Sequence, residues 1–360
     1  MIIYANQINP DSPSDTDRSY LNEFFADQRC LLISEFNMNF IKDLHDYICQ
    51  AGDIDRIVID LTHNPFDLYK YRMPVKYQGA DIGKINDLLC LCLKHVPTTI
   101  LHTDHEFVAP SDHYRFFPLW PWMWSGKTPL WFPQINWGDG VFSPKEKTQA
   151  MCCLNRTPHF HRILLFNKII HRPWFSQIAY TFGNHGHGKQ YHHAYDKMTQ
   201  DEIQEFQNNL YHLPKTVVDQ DREDTTDTGI DHPVYRRCAF NLVTESTMGR
   251  ILVSEKSCKP FFARQIPIII GPRGTTKFFQ DNGLDMFADI IPWHTWDSEP
   301  DARIRLDKTV EFLDDFLSQD PVKIYHANTC RVDYNHDYFQ STEFRQRIMQ
   351  EMNYSNFEPA

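Results

Sequence analysis

Two rhythms of apolar and polar residues alternate along this chain. Short, nearly unbroken apolar runs recur, each followed by a longer stretch with helical spacing. Residues 1–5, Cys30-Leu-Leu-Ile-Ser34, Arg56-Ile-Val-Ile-Asp-Leu61 and Thr98-Thr-Ile-Leu-His102 predict strands. Between them, 19–25, 36–51 and 82–95 predict helices; Phe40, Leu44, Tyr47 and Ile48 share one face of the second. The pattern resumes with strands over 149–154, 175–181, 238–243 and 266–270 and helices over 161–170, 198–210, 254–264 and 276–282. Thr199 followed by Glu202 reads as a capping box opening the helix over 198–210. Further helices over 308–318 and 343–352 close the chain. Strands and helices in this order imply βαβ units and parallel sheets, an α/β fold in two halves of similar size.

The rhythm breaks over 114–140, which holds Trp120, Trp122, Trp124, Trp131 and Trp137 among four prolines. This segment reads as the crossing between halves, either an aromatic-packed surface loop or part of an acceptor-binding surface. It sets the expected domains at 1–145 and 146–325, with a tail over 326–360 whose helix packs back toward the first domain.

Composition narrows the setting. The chain has 360 residues, 41% of them hydrophobic and 14% aromatic, and a formal net charge of −11. Such a balance suits a soluble globular protein and argues against binding nucleic acid by bulk electrostatics. The nine cysteines, Cys152-Cys153 and Cys90 with Cys92 among them, follow neither a disulfide framework nor a zinc spacing. Reduced thiols, no apolar run of the ~20 residues a membrane span requires and no signal-peptide pattern at the N-terminus give the expectation of a cytoplasmic protein without a membrane span.

Candidate chemistry gathers at predicted strand ends. After the strand over 149–154 come Asn155, Arg156, His159, His161 and Arg162, where a turn leads into a helix; arginines there can meet a pyrophosphate bidentately. After the strand over 238–243 come Glu245 and Ser246, then Ser254, Glu255 and Lys256. Ser254 reads as a helix cap, and a cation in the first turn, Lys256, opposes the helix dipole unless an anion sits there. Arg273, after Gly271, adds a further cation. In the first half, Asp104, His105 and Glu106 follow a strand end and suit a general base, with Asp60 and His63 as a second set. The histidines at 185, 187, 192 and 193 read as a flexible loop rather than a metal site, and Asp219-Gln-Asp221 lies in a polar acidic run away from any strand.

These residues carry a resemblance. Asn155 with Arg162, Thr244-Glu245-Ser246, Ser254-Glu255-Lys256 and Ile266-Pro267-Ile268 closing on Gly271 resemble, in order and spacing, the donor-site motifs of the fucosyltransferase-like glycosyltransferases. The resemblance covers about 152–292. It implies the GT-B architecture, two Rossmann-like domains facing a cleft, with a nucleotide-diphosphate sugar bound by the second domain and a glycan or other acceptor by the first. It further implies inverting transfer without an essential metal or other cofactor. Carried across, Arg162 and Lys256 hold the diphosphate, Glu255 the ribose, and Glu245 lies near the donor sugar. The family's Glu-Asn-Ser is Thr244-Glu245-Ser246 here and its Thr-Glu-Lys begins with Ser254, so the sugar, hexosyl or fucosyl, stays open. Two alternatives remain: a non-catalytic nucleotide- or glycan-binding protein on a decayed transferase fold, and a transferase acting on modified DNA. The oligomeric state is open.

Overall fold

The computed structural model describes residues 2–4, 30–34, 56–61, 75–77, 80–82, 98–102, 114–116, 142–155, 158–182, 192–212, 233–248, 253–344 and 346–348. The chain divides into two compact units, Met1–Pro133 with Ile348–Ala360, and Gln134–Arg347.

In the first unit β1 (Ile2–Tyr4), β2 (Cys30–Ser34), β3 (Arg56–Leu61), β4 (Val75–Tyr77), β5 (Ala80–Ile82), β6 (Thr98–His102) and β7 (Tyr114–Phe116) are described. Five of them form a sheet in the order β1-β2-β3-β6-β7, every neighbour parallel, while β4 and β5 pair antiparallel. The apolar runs at 30–34, 56–61 and 98–102 are the central strands. The three-residue strands β4, β5 and β7 were not expected, because so short a segment shows no period. The helices expected over 19–25, 36–51 and 82–95 and the tryptophans of 120–137 lie outside the described residues.

The second unit is built on β8 (Gln149–Asn155), β9 (Ile178–Phe182), β10 (Cys238–Thr244) and β11 (Ile266–Ile270). They form an all-parallel sheet in the order β11-β10-β8-β9. Among its described helices are α1 (Phe160–Ile169), α2 (His192–Tyr195), α3 (Gln200–Asn209), α4 (Pro233–Arg237), α5 (Glu255–Phe262), α6 (Thr275–Asp281), α7 (His294–Asp297), α8 (Ala302–Phe316), α9 (Pro321–Ala327) and α10 (Thr329–Phe339). A parallel sheet needs cover on both faces, and the apolar strands supply two apolar faces to be covered. Along β10 the side chains alternate. Phe240 and Leu242 join Ile266, Ile268 and Ile270 in one core with Ile163 and Phe166 of α1 and Leu313 and Phe316 of α8. Val243 and Ile269 are buried outside that core. Away from it, Phe261 of α5 packs its ring on Phe279 of α6 and Phe339 of α10.

Two helices begin where local chemistry asks for them. Asp301 caps α8, its Oδ1 accepting from the backbone N–H of Arg303 at 2.7 Å and Ile304 at 3.3 Å. The helix therefore starts six residues before the expected 308. Asp320 caps α9, with Pro321 at its first position. Neither α9 nor α10 was expected; α10 packs against α5 within this unit.

The strand order places a topological switch between β8 and β10. The chain steps outward from β8 to β9, returns to β10 on the other side of β8, and steps outward again to β11. In open parallel sheets the crevice beyond the strand C-termini at such a switch receives ligands. Arg305 of α8, 2% exposed, braces this edge. It donates to the carbonyl of Gly271 just beyond β11 and to that of Glu299 at 2.9 Å. Arg305→Met leaves these buried acceptors without a donor and should cost about 2–4 kcal/mol of unfolding free energy. Urea denaturation checks this, and a loss below about 0.5 kcal/mol would remove Arg305 from this role.

Candidate functional site at the switch between β8 and β10

The crevice begins with the two strand ends that flank it. Asn155 closes β8 and Thr244 closes β10, both buried, and the Thr244 hydroxyl donates to Asn155 Oδ1. The Asn155 N–H donates to Thr181 Oγ1 of β9 at 3.2 Å, so one residue links three strand ends.

One wall is the first turn of α1. Arg162 is 1% exposed, and its Nη2 donates to the carbonyls of Thr244 at 2.6 Å and Glu245 at 3.3 Å. His161, equally buried, places Nε2 at 2.7 Å from the Glu245 carbonyl. Because a carbonyl only accepts, this nitrogen carries the proton, and Nδ1 is left without a partner. Burial, then the charge of Arg162, holds the His161 pKa well below its usual value.

Glu245 stands on the other wall and is fully buried. Its Oε1 accepts from the backbone N–H of Ser254 at 3.2 Å and from the Ser257 hydroxyl at 2.5 Å, and its Oε2 accepts from the Ser254 hydroxyl at 2.5 Å. Its own N–H donates to the Ile270 carbonyl at 2.9 Å. The carboxylate therefore sits at the positive start of α5, whose N-cap is Ser254. Gly271 makes room for it: a Cβ there would lie 3.0 Å from Glu245 Cγ.

Among the described residues, α1, α5 and α6 follow the ends of β8, β10 and β11, and they differ in what fills their N-termini. At α5 it is Glu245 with Ser254 and Ser257. At α6 it is Asp297, buried, whose carboxylate accepts from the backbone N–H of Thr276 at 2.9 Å and of Lys277 at 3.0 Å. Desolvation raises the Asp297 pKa. At α1 the N-cap is His159, which makes no side-chain cap bond, and the first turn has no acidic residue. Positive charge gathers instead: the pKa of half-buried His159 is lowered to about 4, by burial first and then by Arg162, Lys256 and Lys197. Lys197 is exposed and lies over the Phe160 ring, 5.6 Å from its centroid. The Arg162 N–H already donates to the His159 carbonyl at 3.0 Å; the N–H groups of Phe160 and His161 have no carbonyl inside the helix, and there the α1 start can hold an anion.

The structure thus brings Asn155, Arg162, Glu245, Ser254 and Lys256 together. Ser246 is half-buried beside Glu245, and Arg273 is exposed in the turn after β11. Arg156 and the side chain of Glu255 lie outside the described residues, as do Asp104, His105 and Glu106. Asp60 sits within β3, opposite Leu101 of β6, and His63 lies outside. Sequence reasoning left His159, His161, Lys197 and Ser257 without roles. The signal for His159 was a histidine where a helix cap normally places Ser, Thr, Asp or Asn; Lys197 had none. Among the described residues no three His, Cys, Asp or Glu side chains group as a metal site; His185 and His187, and the side chains of His192 and His193, lie outside them. A groove of about 460 Å³ lined by Gln149, Ser176, Gln177, Gln319 and Asp320 lies at the opposite, N-terminal end of β8 and β9. Its carboxylate, Asp320, is engaged in capping α9. No helix among the described residues is long and apolar enough to cross a membrane. No family model, curated protein or solved structure matches the chain.

Two outcomes test this geometry. Glu245→Gln removes charge from a buried acceptor of three bonds and should cost about 1.5–3 kcal/mol in denaturant unfolding; a smaller loss than in an exposed Glu→Gln control would contradict the clamp. His161 binds its proton less readily folded than unfolded. As pH falls below about 6.5, the unfolded chain gains a proton there that the folded chain refuses, and stability declines. His161→Gln should flatten that decline in unfolding free energy against pH, and an unchanged slope would show the ring to be charged in the fold.

Proposed function

We propose that the second unit binds the diphosphate of a sugar nucleotide at the α1 start, and that the chain is a metal-independent glycosyltransferase. One observation carries the reading. Of the helix starts described after β8, β10 and β11, those of α5 and α6 are closed by internal carboxylates, whereas at the α1 start Arg162, Lys256 and Lys197 add positive charge near His159. In a chain of net charge −11, local positive potential at a topological switch suits a phosphate ligand.

In this reading Lys256, Lys197, His159 and the α1 amides face the diphosphate, while Arg162 adds charge from behind and holds the end of β10. Glu245 shapes the crevice through Ser254 and Ser257. Cationic groups fixed there stabilise the charge that develops on the leaving diphosphate, the work a metal does elsewhere. The motif resemblance and the parallel sheet in each unit support a GT-B arrangement, with the first unit receiving the acceptor and Asp104, His105 or Glu106 as the base. A second reading has its own observation: Glu245, which the resemblance sets beside the donor sugar, is fully buried with its carboxylate bonded internally. A phosphate-ligand-binding protein without transfer also satisfies that arrangement.

Thermal unfolding with inorganic pyrophosphate, nucleoside diphosphates and sugar nucleotides tests the site. A ligand at 100 times its Kd should add about 2.7 kcal/mol, and Lys256→Gln should weaken binding by about tenfold or more, as the loss of a charged contact implies. Stabilisation by none of these ligands would end the phosphate reading. Release of nucleoside diphosphate, undiminished by EDTA, separates transfer from binding alone.

A further inference from the structure

His171 follows the C-terminal end of α1, and His212 ends a short 3-10 turn, Leu210–His212, that follows α3. Both are exposed. Their rings meet with centroids 5.6 Å apart and planes at 78°. A metal ion about 2 Å from each of two imidazole nitrogens lies about 3.2 Å from each ring centre, and the tetrahedral angle then sets the centres about 5 Å apart. A small turn of either exposed side chain closes the difference.

The tautomer of His171 is fixed by a chain of buried amides. The Glu202 carbonyl of α3 only accepts, so the Asn167 atom 3.1 Å from it is the amide nitrogen. Asn167 Oδ1 then accepts from Asn209 Nδ2 at 3.4 Å. That leaves Asn209 Oδ1 facing His171 Nε2 at 2.9 Å. Nε2 therefore carries the proton, and Nδ1 of the neutral ring keeps its lone pair for a cation. Asn167 and Asn209 are only 6% and 5% exposed. Two buried amides thus orient one ring at the surface, as the groups behind metal-ligating histidines do.

The local electrostatics suit a cation as well. His171 and His212 each stand just past the end of a helix, and the last carbonyls of a helix carry its negative pole. The neighbouring cation, Arg172, is engaged: Nη1 lies 3.1 Å from Asp314 Oδ2, and Nε donates to the Lys168 carbonyl at 3.2 Å.

We propose that His171 and His212 together bind a divalent transition-metal ion that favours imidazole, Zn²⁺ above all, with water in its remaining coordination places and Asn209 as the positioning residue. The site stands at the opposite end of α1 from the crevice. It is separate from the phosphate site argued above, and transfer that resists EDTA is compatible with it.

Calorimetric titration with Zn²⁺ of the full chain, first freed of metal by EDTA, tests the site beside His171→Gln, His212→Gln and the double variant. Both positions are exposed, so the variants should keep the fold, which far-UV circular dichroism checks. The unaltered protein should bind one Zn²⁺ more than the double variant, and each single change should weaken that site by about tenfold or more. Asn209→Ala should also weaken it by about tenfold or more, as the loss of a group that orients a ligand does. Equal stoichiometry and affinity in the unaltered protein and the double variant overturn the proposal, any bound Zn²⁺ then belonging to other histidines or to cysteines. Unchanged affinity in Asn209→Ala overturns the positioning role.

Discussion

The Glu245 carboxylate lies out of contact with water, and a buried charge has to be matched by donors or abandoned. Here Ser254 and Ser257 supply three bonds, and the first turn of α5 adds its dipole. The same residue gives its carbonyl to His161 and Arg162 of α1 and its N–H to Ile270 of β11. Its side chain fits because Gly271 has no Cβ. Two helices and two strands are thereby tied at one point, and the crevice between β8 and β10 takes its shape from that tie.

A division of labour among the helix starts follows. Glu245 and Asp297 each satisfy one helix from within the protein, and both are buried, so those two ends are structural. The α1 start is left to His159, and the cations that surround it come from separate elements. Arg162 explains how so much positive charge can be held there. Its guanidinium rests on two carbonyl oxygens of the β10 end, which compensate part of its desolvation. The crevice combines a stiff floor, Asn155 bonded to Thr244, with a positive rim on α1 and α5.

Much of the fold was legible along the chain. The apolar runs at 30–34, 56–61, 98–102, 149–154, 238–243 and 266–270 are all parallel strands, and in the second unit, where burial is described, they are almost entirely apolar because both faces of the sheet are covered. Thr199 and Glu202 form the capping box that their spacing announced. The helices α9 and α10 went unnoticed because their apolar positions are few and mixed with polar ones, although Asp320-Pro321 marked a helix start. At the site, the residues Asn155, Arg162, Glu245, Ser254 and Lys256 were picked out by order and spacing, and the structure gathers them at one edge. Their orientation was not legible: nothing in Thr244-Glu245-Ser246 says that the carboxylate turns inward to Ser257.

The sequence by itself determined the alternation of strands and helices, the caps that start α3 and α5, and the placing of polar residues after strands, because all of these are local and follow from the period of burial and the unmet N–H groups of a helix end. Tertiary structure alone decided which of the described helix starts receives no internal carboxylate. That depends on the strand order β11-β10-β8-β9, which sets α1 beside the end of β10, and on Lys197 and Lys256 arriving from distant parts of the chain. Burial periodicity reports how each element meets the core; it carries no information about which charges from other elements come near one helix end, and it is that meeting of elements which marks the candidate site.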